Sequence, residues 1–229
     1  MNPVTVAESE IKPFAETWLS HSSLPNKGDY SATRFGKVFD NAVGRSLATF
    51  LGDIPILTPN RNHLLPAEPN VVEVGAFRVV GGVRSQNFDV GYRPDGVRFA
   101  YDTKTLNNLD SVKKNYQNMI NDLATEATTV HTRFPYAVVA FLVAVPRPAL
   151  ATLQQSGLIQ TLERMTHRSS PQDQPHLAEA ISLVIWDPTT ATIDPHISEP
   201  HTTLRLENLS SLIETSYTDR YKGLPPHHS

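Results

Sequence analysis

The chain has 229 residues, 39% of them hydrophobic, enough for one good core and a small extra subdomain, so a single domain spanning residues 1–229 is expected. It contains no cysteine, which excludes disulfides, thiolate metal sites and cysteine nucleophiles. The formal net charge of −3 does not attract a polyanion, so any nucleic-acid binding must rest on a local basic surface.

No basic-then-apolar leader opens the chain, and its longest apolar run, residues 137–145, is far short of a membrane span. A cytoplasmic protein with no membrane partner is expected. Residues 1–20 hold a short predicted helix, with Pro13 near its start and Ile11, Phe14, Trp18 and Leu19 at helical spacing. A clearer helix follows from Ser31, its N-cap, to Leu51, with Gly52 as the stop. Phe35, Val38, Phe39, Ala42, Val43, Leu47, Phe50 and Leu51 form its buried face. Gly36, Asp40 and Gly44 lie four apart beside that face, where the glycines would allow close packing and leave Asp40 exposed.

Residues 64–70 form a proline-containing loop. Val71 to Val80 reads as a strand with Gly75 inside it and a turn at Gly81-Gly82. Glu73 interrupts that strand's apolar character and is assigned to its exposed end in preference to a metal site. Gln86 to Thr105 reads as a hairpin around a four-residue loop, Arg93-Pro94-Asp95-Gly96. Tyr92 then faces Val97, Val90 meets Phe99 and Phe88 meets Tyr101, which puts every apolar residue of the ribbon on one face. Asp89, Asp102 and Lys104 occupy the other. Asp89 stands opposite Ala100 and diagonal to Asp102, at about 7–8 Å, close enough for two carboxylates to reach one cation. A three-residue loop with Gly96 in a bulge also suits Pro-Asp-Gly, but that slip by one would expose the apolar face.

A helix begins near Asp110 or Ser111, with Val112, Tyr116, Met119, Ile120, Leu123 and Ala127 as its apolar stripe. Lys113 and Lys114 stand in the first turn, where the helix dipole favours anions. Together with free backbone N–H groups, and with Asn115 and Gln117 on the next positions, they either bind phosphate or form a solvated face. Residues 137–145 then make a strand covered on both faces. Leu150 to Met165 is helical with Gly157 inside, Ala180 to Trp186 a strand, and Leu204 to Tyr221 a closing helix. The segment 188–203 is irregular, and its His196, His201, Asp194 and Glu199 are read as loop residues with no fixed metal geometry. A core over about 31–145, an elaboration over 146–222 and a disordered tail over 223–229 follow from this layout.

Asp89 followed by Asp102-Thr103-Lys104 on a hairpin resembles the PD-(D/E)XK nuclease superfamily. That core carries an aspartate on one strand and Asp/Glu-x-Lys on the next. Phe88 stands where the motif name has proline, a position with no chemical role. The order strand, hairpin, helix, strand over residues 71–145 is similar to that superfamily's core, and the first long helix extends the likeness to about half the chain. The resemblance implies an α/β fold with a mixed central sheet flanked by helices, and Mg²⁺ held by Asp89, Asp102 and the Thr103 carbonyl. It implies Lys104 as the residue that positions or helps deprotonate the attacking water. It also nominates Asp40 as a metal-site residue, since such nucleases often bring an acidic residue from the first core helix to the metal. There is no phosphate loop, dinucleotide fingerprint, serine elbow or H-E-x-x-H motif, so no nucleotide cofactor or ATP-driven motor is expected. A type II restriction endonuclease, a homodimer acting on double-stranded DNA, is the expected function. A structure-specific repair or junction nuclease, or a non-catalytic DNA-binding module of the same fold, are the alternatives.

Overall fold

The computed structural model describes residues 1–60, 63–194 and 202–224. The expectations for His196, Glu199, His201 and residues 225–229 lie outside those residues. The described chain forms seven strands in one mixed sheet, ordered as they occur in the sequence: β1 (Ile56–Leu57), β2 (Val72–Val80), β3 (Ser85–Tyr92), β4 (Phe99–Thr105), β5 (Val138–Pro146), β6 (Ala180–Asp187) and β7 (Thr192–Ile193). β1 runs parallel to β2. The β2–β3 and β3–β4 pairs are antiparallel, β4–β5 and β5–β6 parallel, and β6–β7 antiparallel. Parallel neighbours need a crossover, which helices provide for β4–β5 and β5–β6 and the segment 58–71 provides for β1–β2.

Helices α1 (Glu8–His21), α2 (Ala32–Phe50), α3 (Val112–Arg133), α4 (Leu150–Leu153), α5 (Gln155–Glu163) and α6 (Leu206–Tyr221) divide between the two faces. Val138, Ala140, Leu142 and Ala144 of β5 join a core with α1, α2 and α6. Val139, Phe141, Val143 and Val145 join another with α3 and α5. Strand alternation thus feeds two cores, and every residue of β5 is buried. The protein is α/β, a seven-stranded mixed sheet flanked by helices.

Several sequence expectations shift. Pro13 lies well inside α1, and Leu19 at the far end is 52% exposed, because Trp18 takes the inward position and donates from Nε1 to the Asn107 carbonyl at 2.9 Å. The helix expected over 150–165 breaks at Gln154, which has φ 56°, while Gly157 stays helical. Strands β1 and β7, two residues each, carry no periodicity of their own to announce them. Glu73 is buried, contrary to its assignment to an exposed end. The Arg93 guanidinium takes both its oxygens, at 2.6 and 2.8 Å, and lies over the Phe77 ring. That fork-to-fork pair is structural.

The hairpin closes two residues later than expected. Tyr92 pairs with Phe99, Gly91 with Ala100 and Val90 with Tyr101, so the loop runs from Arg93 to Arg98. A slip of two preserves every face, whereas a slip of one would have reversed them. The aromatic face is nevertheless divided. Val90, Tyr92, Phe99 and Tyr101 pack with α2, while Phe88 and Val97 belong to the α3 core. The division coincides with an irregularity in the β2–β3 ladder between Val74 and Phe77, where Gly75 adopts φ 127°.

Candidate active site

The β3–β4 ladder ends at Val90 and Tyr101. Continuing its register by one residue brings Asp89 directly opposite Asp102, where the expected register made them diagonal. Beyond that point the strands part, and side chains take over from the backbone. Thr103 N–H, on the edge that β3 has left, donates to Asp89 Oδ2 at 3.4 Å. The carboxyl groups of Asp89 and Asp102 are close enough that the Asp102 charge disfavours ionisation of Asp89.

Residues from both faces meet at this gap. From the α2 side comes Asp40, which is buried, contrary to the exposed alternative. Thr103 Oγ1 donates to Asp40 Oδ1 at 2.6 Å. Because that hydroxyl has one proton to give, Tyr101 is the donor in its 2.8 Å contact with Thr103 Oγ1. The glycines beside Asp40 set the approach of α2: a Cβ on Gly36 would touch Thr103 Cγ2 at 3.6 Å, and one on Gly44 would overlap a Val74 methyl. Asp40, Asp89 and Thr103 line one hollow of about 340 Å³, together with Lys37.

From the α3 side, Lys104 donates to Asp102 and to Glu126 Oε1, the latter at 2.7 Å. Gln86 Nε2 donates to the same Oε1 at 2.8 Å. Sequence reasoning passed over Glu126, although it carried a signal. Glu126 follows Leu123 by three residues and precedes Val130 by four, so a carboxylate sits on the helix's buried stripe.

Four carboxyl groups, with Lys104 beside two of them and Lys37 near Asp40, leave an excess of negative charge in a poorly solvated place. Burial pushes Asp40 up to about 7, against the opposing hydrogen bond from Thr103. Burial, with the hydrogen bond and charge of Asp102, pushes Asp89 up to about 10. Glu126 rises to about 8 through burial and the Asp102 charge, despite Lys104. Burial disfavours the Lys104 cation, but the carboxylates of Asp102 and Glu126 outweigh it and hold the ammonium above the ordinary lysine range.

The donor set suits a hard divalent cation, since it is all oxygen and short of positive charge. Among the described residues no three His, Asp or Glu side chains are drawn up around one point as a cage. Mg²⁺ is ordinarily held by one or two carboxylates with water and substrate phosphate completing its shell. Asp89 and Asp102 would be the two carboxylates, and the Thr103 carbonyl lies on the same open strand edge as its N–H.

Asp40, Asp89, Asp102, Thr103 and Lys104 are therefore brought together. Lys113, Lys114, Asn115 and Gln117 are not. All four are exposed at the start of α3, and about 18 Å of helix rise separates Lys114 from Glu126. Asn115 is engaged locally, its Nδ2 donating to Ser111 Oγ at 2.9 Å.

Comparison with protein-family models, with curated proteins and with solved structures finds no match for this chain. The class of protein that fold and site define is thus an α/β protein with a buried carboxyl and lysine cluster at a sheet gap.

Proposed function

We propose that this chain is a Mg²⁺-dependent endodeoxyribonuclease of the type II restriction kind, with a PD-(D/E)XK-like core, that hydrolyses double-stranded DNA at a specific sequence. The observation that supports this reading is the convergence of Asp89, Asp102 and Lys104 where β3 and β4 part, with oxygen donors and one clamped ammonium facing the same gap. A bound Mg²⁺ would acidify the attacking water and neutralise charge developing on the phosphate. Asp89 and Asp102 would hold it. Lys104, kept charged first by Asp102 and further by Glu126 where that group is ionised, donates a hydrogen bond to the water or to a phosphate oxygen and does not take up a proton. Asp40 acts one step back, fixing Thr103 and with it the open strand edge. Two copies on a two-fold axis would cut both strands of a palindrome, and sedimentation should therefore show a dimer.

The decisive experiment is incubation with a large sequenced DNA and Mg²⁺, followed by mapping of the ends. Discrete ends at one short sequence are expected. Asp89→Ala, Asp102→Ala and Lys104→Ala should each reduce cleavage by at least about 100-fold. Full activity in any one removes that residue from the mechanism. Cleavage confined to branched DNA would move the reading to a repair or junction nuclease. DNA binding without Mg²⁺ or Mn²⁺ uptake in calorimetry would make the chain a non-catalytic module.

A further inference from the structure

Lys104 is held by carboxylates from two different elements, Asp102 on its own strand and Glu126 on α3. Glu126 is 2% exposed, and its neighbours on the same stripe, Leu123 and Val130, are core residues. A carboxylate at such a place costs several kcal/mol of desolvation that a leucine would not, so packing alone does not account for it. Its Oε1 accepts from both Lys104 and Gln86, while its Oε2 is buried and receives no hydrogen bond. The carboxylate is thus fixed through the same oxygen that holds the lysine. An ammonium has three N–H donors in tetrahedral array. With two directed at Asp102 and Glu126, the third has one direction left, and among the described residues it meets no acceptor.

We propose that Glu126, braced by Gln86, is the positioning residue of this site: it aims the remaining N–H of Lys104 at the water or phosphate oxygen and so governs the chemical step without touching substrate. The inference rests on the nuclease reading of the same cluster. With Asp102 as sole partner, the ammonium would turn about its last bond and sample directions useless to the reaction. A misaim of about 1 Å is enough to cost about 100-fold in rate.

The test is single-turnover cleavage with Mg²⁺ at saturating DNA, on the full chain. Glu126→Ala should slow cleavage about 100-fold while leaving DNA affinity within about twofold, because the loss falls on the chemical step alone. Glu126→Gln keeps an oxygen for Lys104 and should recover to within about tenfold of the parent. In a Lys104→Ala background, Glu126→Ala should cost nothing further, since Glu126 acts only through the lysine. Gln86→Leu, which leaves the buried carboxylate in place and keeps the test open if Glu126→Ala does not fold, should cost about fivefold in the parent and nothing in Lys104→Ala. Additive losses in the double variants would show that Glu126 works by its own route. Parental rates in Glu126→Ala would show that Asp102 aims the lysine alone. Either result overturns the inference and leaves the nuclease reading standing. A parent that cleaves no DNA, or a parental rate that Lys104→Ala leaves unchanged, overturns both.

Discussion

Three carboxyl groups in this protein keep protons that water would have taken from them. Asp40, Glu126 and Asp89 release theirs at about 7, 8 and 10, chiefly because burial penalises the anion. Unfolded carboxyls titrate near pH 4, so between about pH 4 and those values the folded state binds more protons than the unfolded one. The cation-free protein should therefore be most stable in mild acid and lose stability as pH rises towards 9. Thermal unfolding across that range in a chelator should show a falling midpoint, and a flat profile would refute the buried-carboxyl account. Asp89→Asn should melt higher than the parent near pH 8 and no differently near pH 4, because it removes the group whose ionisation on unfolding favours the unfolded state. Millimolar Mg²⁺ at pH 8 should raise the parent's melting temperature by mass action and have a smaller effect on Asp89→Asn.

Elements are joined here by a few close contacts that substitution can separate. α2 lies against the sheet along Gly36 and Gly44, yet the two glycines are not equivalent. A methyl at Gly36 would reach only ordinary contact with Thr103, and alanine favours the helix, so Gly36→Ala should leave stability unchanged or slightly raised. At Gly44 the methyl would overlap Val74, and Gly44→Ala should cost about 1–3 kcal/mol in urea unfolding. Equal effects would mean that α2 floats on the sheet. At the far end of β5, Glu179 is a fully buried carboxylate. It accepts from Val139 N–H at 2.6 Å, from Arg168 at 3.0 Å and from His131 at 3.2 Å, and pairs with the Arg220 guanidinium at 2.8 Å. Those contacts tie α3, β5, the segment before β6 and α6 to one side chain. They also outweigh its burial, holding Glu179 below the ordinary carboxylate range. Glu179→Gln leaves two buried guanidinium groups without their counter-charge and should cost about 3–5 kcal/mol. A loss under about 1 kcal/mol would show that the neighbouring carbonyls satisfy the arginines unaided.

At the scale of the whole molecule, the net charge of −3 does not favour the DNA partner proposed above, and the exposed start of α3 is where cations stand against the dipole. Changing Lys113 and Lys114 together to alanine should weaken DNA binding evenly across sequences and flatten the salt dependence by about two phosphate contacts. Sequence preference should survive, because phosphate contacts place a protein while base edges specify it. Since that turn lies about 18 Å of helix away from Glu126, the phosphates it meets would be several nucleotides from the carboxyl cluster, so maximal cleavage rates at saturating DNA should hold. Unchanged affinity and salt slope would make the turn a solvated face.

Local periodicity was enough to determine much of this fold. The N-cap at Ser31, the stripe of α3 and the unbroken apolar run of β5 each follow from spacing that an isolated segment already has. That Asp102 and Lys104 share a face was legible for the same reason: strand alternation has a period of two, so a register wrong by two leaves the faces of β4 unchanged, although it set Asp89 diagonal to Asp102 instead of opposite it. The partners of that motif were not legible. Glu126 lies 22 residues beyond Lys104 and meets it only because α3 folds back across β4, and Glu73 becomes buried only because Arg93 returns to it across the hairpin. Gln154 broke a helix that its composition allowed, and β1 and β7 exist only as neighbours of longer strands. Pattern records which face a residue prefers, whereas which residue stands across from it depends on loop closure and crossover, and those are decided by the packing of the whole chain.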